Sequence, residues 1–205
     1  MPVVAPNAPA GITVAHFRSA LDQLGSVAKG CRFAVRIMPM GGNNLLTNLS
    51  YFQQIQNMVY VCDAAEFPGR GFDGTTARTY GPEYITPNQT KYGPASLSFI
   101  CRTASLERQF FDDWLDVINP INTFNYTYPK QYYAAIEIFH YSEIADQNSM
   151  PQVIYSWRLM NCWPTAINLQ QVTWADQDIL RLQVSFAYKY WERPGDQERV
   201  VTKIQ

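Results

Sequence analysis

Between Leu180 and Tyr190 the chain alternates. Leu180, Leu182, Val184, Phe186, Tyr188 and Tyr190 take one side, and Arg181, Gln183, Ser185 and Lys189 take the other. A period of two is that of a β-strand with one face in a core and the other facing water or a partner. The same pattern recurs at Cys31–Ile37, where Cys31, Phe33, Val35 and Ile37 alternate with Arg32, Ala34 and Arg36. It recurs again at Ala95–Thr103, with Leu97, Phe99 and Cys101 inward and Ser96, Ser98 and Arg102 outward. Val59–Phe67, Tyr132–Tyr141 and Val153–Trp163 read as further strands, with a polar loop at Glu143–Pro151. About seven half-polar strands predict antiparallel pairing. The fold class is therefore mainly β or α+β: an antiparallel β-sandwich or partial barrel with flanking helices.

Helical spacing appears twice. Val14–Leu24 places Phe17, Leu21 and Leu24 on one face, with Thr13 as N-cap and Gly25 as stop. Ser105 is placed to cap a longer helix, Leu106 to Ile118. Its stripe is Leu106, Phe110, Trp114 and Val117, widened by Phe111, Leu115 and Ile118, and Asn119-Pro120 ends it. Leu45–Asn57 reads either as a helical face (Leu45, Leu49, Phe52, Ile55) or as a folded loop insertion. Gly69–Pro94 is rich in Gly, Pro, Thr and Tyr and poor in large aliphatics. It predicts a long hairpin arm with sides Thr75–Tyr80 and Glu83–Thr86, a tip near Gly81-Pro82 and no core of its own. The 205 residues favour one main domain, 31–193, preceded by an arm and short helix at 1–30 and followed by a charged tail at 194–205.

Charge narrows the function classes. Only 16% of residues are charged, with 16 basic against 17 acidic side chains, where about 25% charged is usual. No basic excess exists to hold a polyanion by counterion release. No apolar run reaches the roughly 18 residues of a membrane span. Met1–Ala10 has neither a charged n-region nor an apolar h-region, so no secretory leader is expected. The Asn-X-Ser/Thr triplets at Asn48, Asn88 and Asn125 are then chance matches. Cys31, Cys62, Cys101 and Cys162 form no CxxC pair and read as free thiols. Aromatics at 14% suggest that part of the uncharged surface is contact surface.

Catalytic chemistry finds little support. Two histidines, His16 and His140, leave few ways to build a nucleophile–base pair, and His140 with Cys162 or Ser142 is the conceivable one. A metal would need Asp63 or Glu66 beside the histidines, without a ligand spacing to support it. Asp112, Asp113 and Asp116, with Glu107, read as the solvated face of the longer helix. Gly69-Arg-Gly-Phe-Asp-Gly74 lacks the strand-to-helix context and lysine of a phosphate loop. No catalytic, cofactor-binding or metal residue is assigned, and the pattern is that of a self-assembling building block.

Four segments, in order, resemble the tail tube proteins of contractile phages. They are Cys62-Asp-Ala-Ala-Glu-Phe-Pro-Gly69 before the Thr/Tyr-rich arm; Ala95-Ser-Leu-Ser-Phe99 running into Leu106–Asp116; Leu159-Met-Asn-Cys-Trp-Pro-Thr-Ala166; and the closing Phe186-Ala-Tyr-Lys-Tyr-Trp-Glu192. The resemblance spans roughly Cys31–Glu192. The N-terminal extension and the 45–57 insertion depart from the pattern and keep a baseplate tube-initiator relative open.

The resemblance implies a six-membered ring whose subunits pool their sheets into one continuous β-barrel. The rings would stack into a hollow tube inside a contractile sheath and around a tape-measure protein. Baseplate and tail-terminator proteins would sit at its ends, and DNA would pass without specific binding. The setting implied is a virion assembled in the host cytoplasm, with no cofactor. An inner tube of a protein-secreting injection system is the alternative cargo reading, and a small hydrolase using His140 the alternative outside the family. The inter-subunit arm would be Gly69, Arg70, Phe72, Thr75, Arg78, Tyr80, Glu83, Tyr84 and Ile85. The lumen or interface face would carry Ser96, Ser98, Arg102, Arg181, Gln183, Ser185 and Lys189. Passing DNA requires these basic residues to be matched by carboxylates such as Glu137, or turned towards subunit and sheath contacts.

Overall fold

The computed structural model describes residues 13–23, 28–52, 58–59, 61–78, 80–145, 151–174 and 178–194. The expected tail at 194–205 therefore lies almost wholly outside the described residues, as do the N-terminal arm to residue 12 and part of the 45–57 insertion. The first helix, α1, forms at Val14–Gln23. Nine strands follow among the described residues, where about seven are expected from periodicity. They are β1 (Phe33–Pro39), β2 (Cys62–Ala65), β3 (Gly71–Ala77), β4 (Tyr84–Lys91), β5 (Ala95–Ile100), β6 (Ala134–Ala145), β7 (Pro151–Ile167), β8 (Arg181–Ala187) and β9 (Tyr190–Glu192). The second α-helix, α2, is Leu106–Ile118.

Seven strands form one antiparallel sheet in the order β1-β6-β7-β8-β5-β2, with β9 also on β7, while β3 and β4 pair only with each other. The 17-residue β7 carries the chain from one half of the sheet to the other. Its first part pairs β6 as far as Ala134↔Cys162, and its last part pairs β8 from Trp163↔Ala187. The changeover falls at Asn161, whose φ of 55° breaks the pleat. The inner faces of both halves, from Val35 and Ile37 to Leu182, Val184 and Phe186, meet in one core. The sheet has thus curled into a partial barrel that is not closed, because among the described residues β1 pairs only with β6 and β2 only with β5.

Helix α2 fills the space inside the curl. Phe110, Phe111, Trp114 and Ile118 are buried as the stripe predicts. Phe111 lies 5.2 Å from Phe99 and 5.9 Å from Phe186, ring to ring. Burying each such side chain contributes roughly 1.5–3 kcal/mol.

Several local expectations are corrected. Ser105 precedes α2 in a left-handed conformation (φ 49°) and makes no side-chain cap. Glu107, expected on the solvated face, is fully buried, and it pairs with the Arg102 guanidinium and accepts from the Arg102 backbone N–H at 3.4 Å. A buried carboxylate needs such partners, and periodicity cannot show them. The Val59–Phe67 strand is only Cys62–Ala65, with a bulge between Cys62 and Ala64. The first strand begins at Phe33, and Cys31 is exposed before it. The last strand breaks at Tyr188-Lys189 into β8 and β9. The expected polar loop is narrower, since β6 runs to Ala145 and β7 starts at Pro151. Leu45–Asn57 opens as a 3-10 turn over Leu45–Asn48. There Leu46, not Leu45, is buried, and Asn44 Oδ1 accepts from Leu46 N–H at 3.0 Å.

Candidate functional site

The hairpin β3–β4 stands out from the domain, and its length of seven to eight residues per side gives a ribbon of roughly 25 Å. Its strands are longer than the sides expected from sequence, and the turn spans 78–83 around Gly81 at φ +87°. Gly74 sits opposite Pro87 at a bulge, and a Cβ there would overlap Ile85 Cγ2. Lys91 and Asp73 pair at 2.6 Å, Thr86 Oγ1 donates to the Thr75 carbonyl at 3.1 Å, and the Arg70 guanidinium lies 5.3 Å from the Phe72 ring centre. The apolar side chains of the arm are unsheltered: Phe72, Tyr80, Tyr84 and Ile85 are all exposed.

The root of the arm is fixed by packing. Pro68 is buried and Phe67 stacks on Trp157 at 4.2 Å. Trp191 Nε1 donates to the Gly69 carbonyl at 3.4 Å, and Tyr92 meets Tyr188 edge-on at 6.0 Å. Gly69 and Arg70 therefore lie at the root, Phe72 and Thr75 on β3, Arg78, Tyr80 and Glu83 in the turn, and Tyr84 and Ile85 on β4.

The register of β5 on β8 builds the second surface. Ser96 faces Ser185, Ser98 faces Gln183, and Ile100 faces Arg181. Gln183 Nε2 donates to Ser96 Oγ at 3.0 Å, and Asn168 Nδ2 donates to Gln183 Oε1 at 2.7 Å. Arg181 pairs with Asp63 at 2.7 Å. Partial desolvation alone would raise the Asp63 carboxyl, but the Ser98 hydroxyl and the Arg181 guanidinium outweigh it and hold the group below its ordinary value. Ser96, Ser98, Arg181, Gln183 and Ser185 thus share one polar face. Arg102 and Lys189 do not join it: Arg102 lies past the end of β5 on Glu107, and Lys189 sits in the break before β9, its N–H donating to the Met160 carbonyl at 3.0 Å.

Glu137 is not the carboxylate that matches these cations. It belongs to a ladder that periodicity did not single out, where Arg36, Glu137, Arg158 and Glu192 are register partners on β1, β6, β7 and β9. Glu137 takes both Arg36 and Arg158, the latter at 2.7 Å, and Arg158 reaches Glu192 at 3.6 Å. The available signal was that each of the four occupies a polar position of a period-two strand. Sequence reasoning also passed over the exposed Ile121, Phe124, Tyr126 and Tyr128 after α2, and Leu169, Val172 and Trp174 after β7.

A His140–Cys162 pair is not assembled by this geometry. His140 is buried, with Nε2 2.8 Å from the Lys29 carbonyl and its ring against Phe67. Cys162 pairs in register with Ala134, six residues along β6 from His140, or roughly 20 Å. Burial pushes its thiol up to about 12. Asp112 pairs with Arg108 at 2.9 Å, and Asp116 accepts the Ile121 N–H at 3.1 Å. Among the described residues no His/Cys/Asp/Glu group is arranged to hold a metal, and no helix is long and apolar enough to cross a membrane.

The fold has counterparts in contractile injection machines. The chain is similar to a protein in the anti-feeding prophage baseplate, with 15% identity and a TM-score of 0.57 over 83% of this chain and 97% of that one. It is similar to one in the PVC sheath/tube terminator of an extracellular contractile injection system in the extended state, with 13% identity and a TM-score of 0.57 over 84% and 99%. A third is in the PVC sheath-tube complex in the extended state, with 12% identity and a TM-score of 0.55 over 89% and 98%. At these identities the likeness is one of fold. No curated protein matches the chain. The phage tail tube protein family matches residues 28–193, the whole curled sheet, the arm and α2, and the chain therefore belongs to that family, as a structural subunit of a phage tail tube.

Proposed function

We propose that this subunit forms rings of six that stack into the conduit through which the phage genome leaves, inside a contractile sheath. The observation that carries the reading is the unfinished sheet. Among the described residues β1 and β2 each have one paired side only, and an exposed strand edge is a template for another chain. Pooling the sheets around a ring would use those edges, and a heterologous contact that closes in the ring but not along the axis would grow a filament. The arm, Gly69–Pro94, provides the contact between subunits or rings. The polar face of Ser96, Ser98, Gln183 and Ser185 lines the lumen or a subunit interface, its Arg181 charge matched by Asp63, which suits a surface that DNA must slide past.

The partners in this reading are the sheath, a tape-measure protein, and baseplate and terminator proteins, with assembly in the host cytoplasm. Sheath, baseplate and terminator settings of the solved counterparts support it. They also favour a second reading, a baseplate-proximal initiator or an inner tube that passes protein. Light scattering and negative-stain microscopy over a concentration series test the main proposal. Stacked hexameric rings are expected from the purified chain, and a compact monomer at high concentration would overturn it.

A further inference from the structure

Two unsheltered surfaces of opposite shape occur on this one chain. The concave one is a groove of about 520 Å³ between the C-terminal half of α2, the loop after it and the end of β7. Leu115, Ile121, Tyr126 and Trp163 supply apolar walls, and Asp116 and Asn119 supply acceptors. The convex surface is the turn of the arm. Tyr80 there is 97% exposed, and exposed Arg78 has no carboxylate partner among the described residues. A guanidinium carries five donors in a fork and can serve a carboxylate and an amide oxygen together.

We propose that the groove is the receptor for the arm turn of a second copy of this chain. Arg78 reaches Asp116, and Tyr80 packs among Ile121, Tyr126 and Trp163. The inference rests on the tube reading above and names the partner surface of the arm. No residue of the arm lines the groove of its own chain, so the contact runs from one copy to the next and propagates. The chemistry of the two surfaces is complementary: a ribbon tip with a cation and a ring faces a groove with an anion and apolar walls.

Charge exchange in the full-length chain tests it. Arg78→Glu and Asp116→Arg should each raise the concentration needed for tube growth by roughly tenfold or more, and the double variant should recover much of the loss. Circular dichroism melting of each variant separates this from misfolding, because Asp116 also holds the Ile121 N–H. Tyr80→Ala and Tyr126→Ala, which leave that hydrogen bond alone, should weaken growth non-additively. Tubes from the unaltered chain together with folded single variants that assemble equally well would overturn the groove assignment alone. Failure of the double exchange and of the tyrosine pair to couple would do the same. An unaltered chain that never assembles would overturn both readings.

Discussion

Trp114 shows what the core requires of a single residue. It is fully buried among Phe110, Phe111 and Phe186, and its indole N–H donates to the Tyr132 carbonyl at 3.0 Å. Trp114→Ala should cost about 3–5 kcal/mol by denaturant titration. Trp114→Phe keeps most of the ring but leaves that carbonyl unserved, at about 1–3 kcal/mol. A loss below about 1 kcal/mol for the alanine variant would contradict this packing. Asp63 makes a pH prediction. Its folded-state pKa lies below the ordinary value of 3.8, so its contribution is complete above that value and is lost as pH falls through the lowered one. Arg181 is more than half exposed, which keeps the effect small. Asp63→Asn should slightly lower stability above about pH 4, leave it unchanged well below the lowered pKa, and so flatten the acid limb of the stability curve. An unaltered acid limb would remove Asp63 from the account.

At the scale of elements, the arm and the sheet obey different rules. The sheet is stabilised by a shared core, and the arm by its own ladder and by the clamp of Phe67, Gly69 and Tyr92 at its root. Thr75 and Thr86 are register partners, so removing the residues between them and closing the gap with a short turn shortens the ribbon without crossing the root. The shortened chain should melt within a few degrees of the full one and fail to form tubes by negative-stain microscopy. Normal tubes would show the arm to be dispensable. Gly74→Val is a finer probe, because its side chain has to displace Ile85 across the bulge. Assembly should weaken while the melting of the domain stays the same.

For the whole molecule, charge placement bears on what may pass through a tube. Arg181 is matched by Asp63 and Arg102 by Glu107, while Glu137 is shared by Arg36 and Arg158. Replacing Asp63 with Asn in every subunit would leave a ring of unmatched Arg181 guanidinium groups. If the β5–β8 face lines the lumen, tubes of this variant should retain duplex DNA at low salt and release it as salt rises. Retention no greater than that of unaltered tubes would place this face at an interface instead.

Periodicity determined that the chain is a β protein with one long helix, and composition that it carries an arm without a core of its own. The period-two runs at Phe33–Ile37, Ala95–Phe99 and Leu182–Phe186 and the stripe through Phe110 and Trp114 lie where the residues predicted them. These features are local, set by which side chains must leave water within a few residues. Whatever depends on residues distant in sequence was left to the tertiary structure. Glu107 looks solvated until Arg102 folds over it. Glu137 looks free until Arg36 and Arg158 arrive from positions 101 and 21 residues away. Val59–Phe67 looks like a regular strand until its register against β5 shows a bulge between Cys62 and Ala64. The groove at the end of α2 exists because the stretch of β7 at Trp163-Pro164 is brought against that helix. A sequence states the period of each segment, but the partner of a buried charge or the far wall of a groove comes from another segment, and only packing in three dimensions selects it.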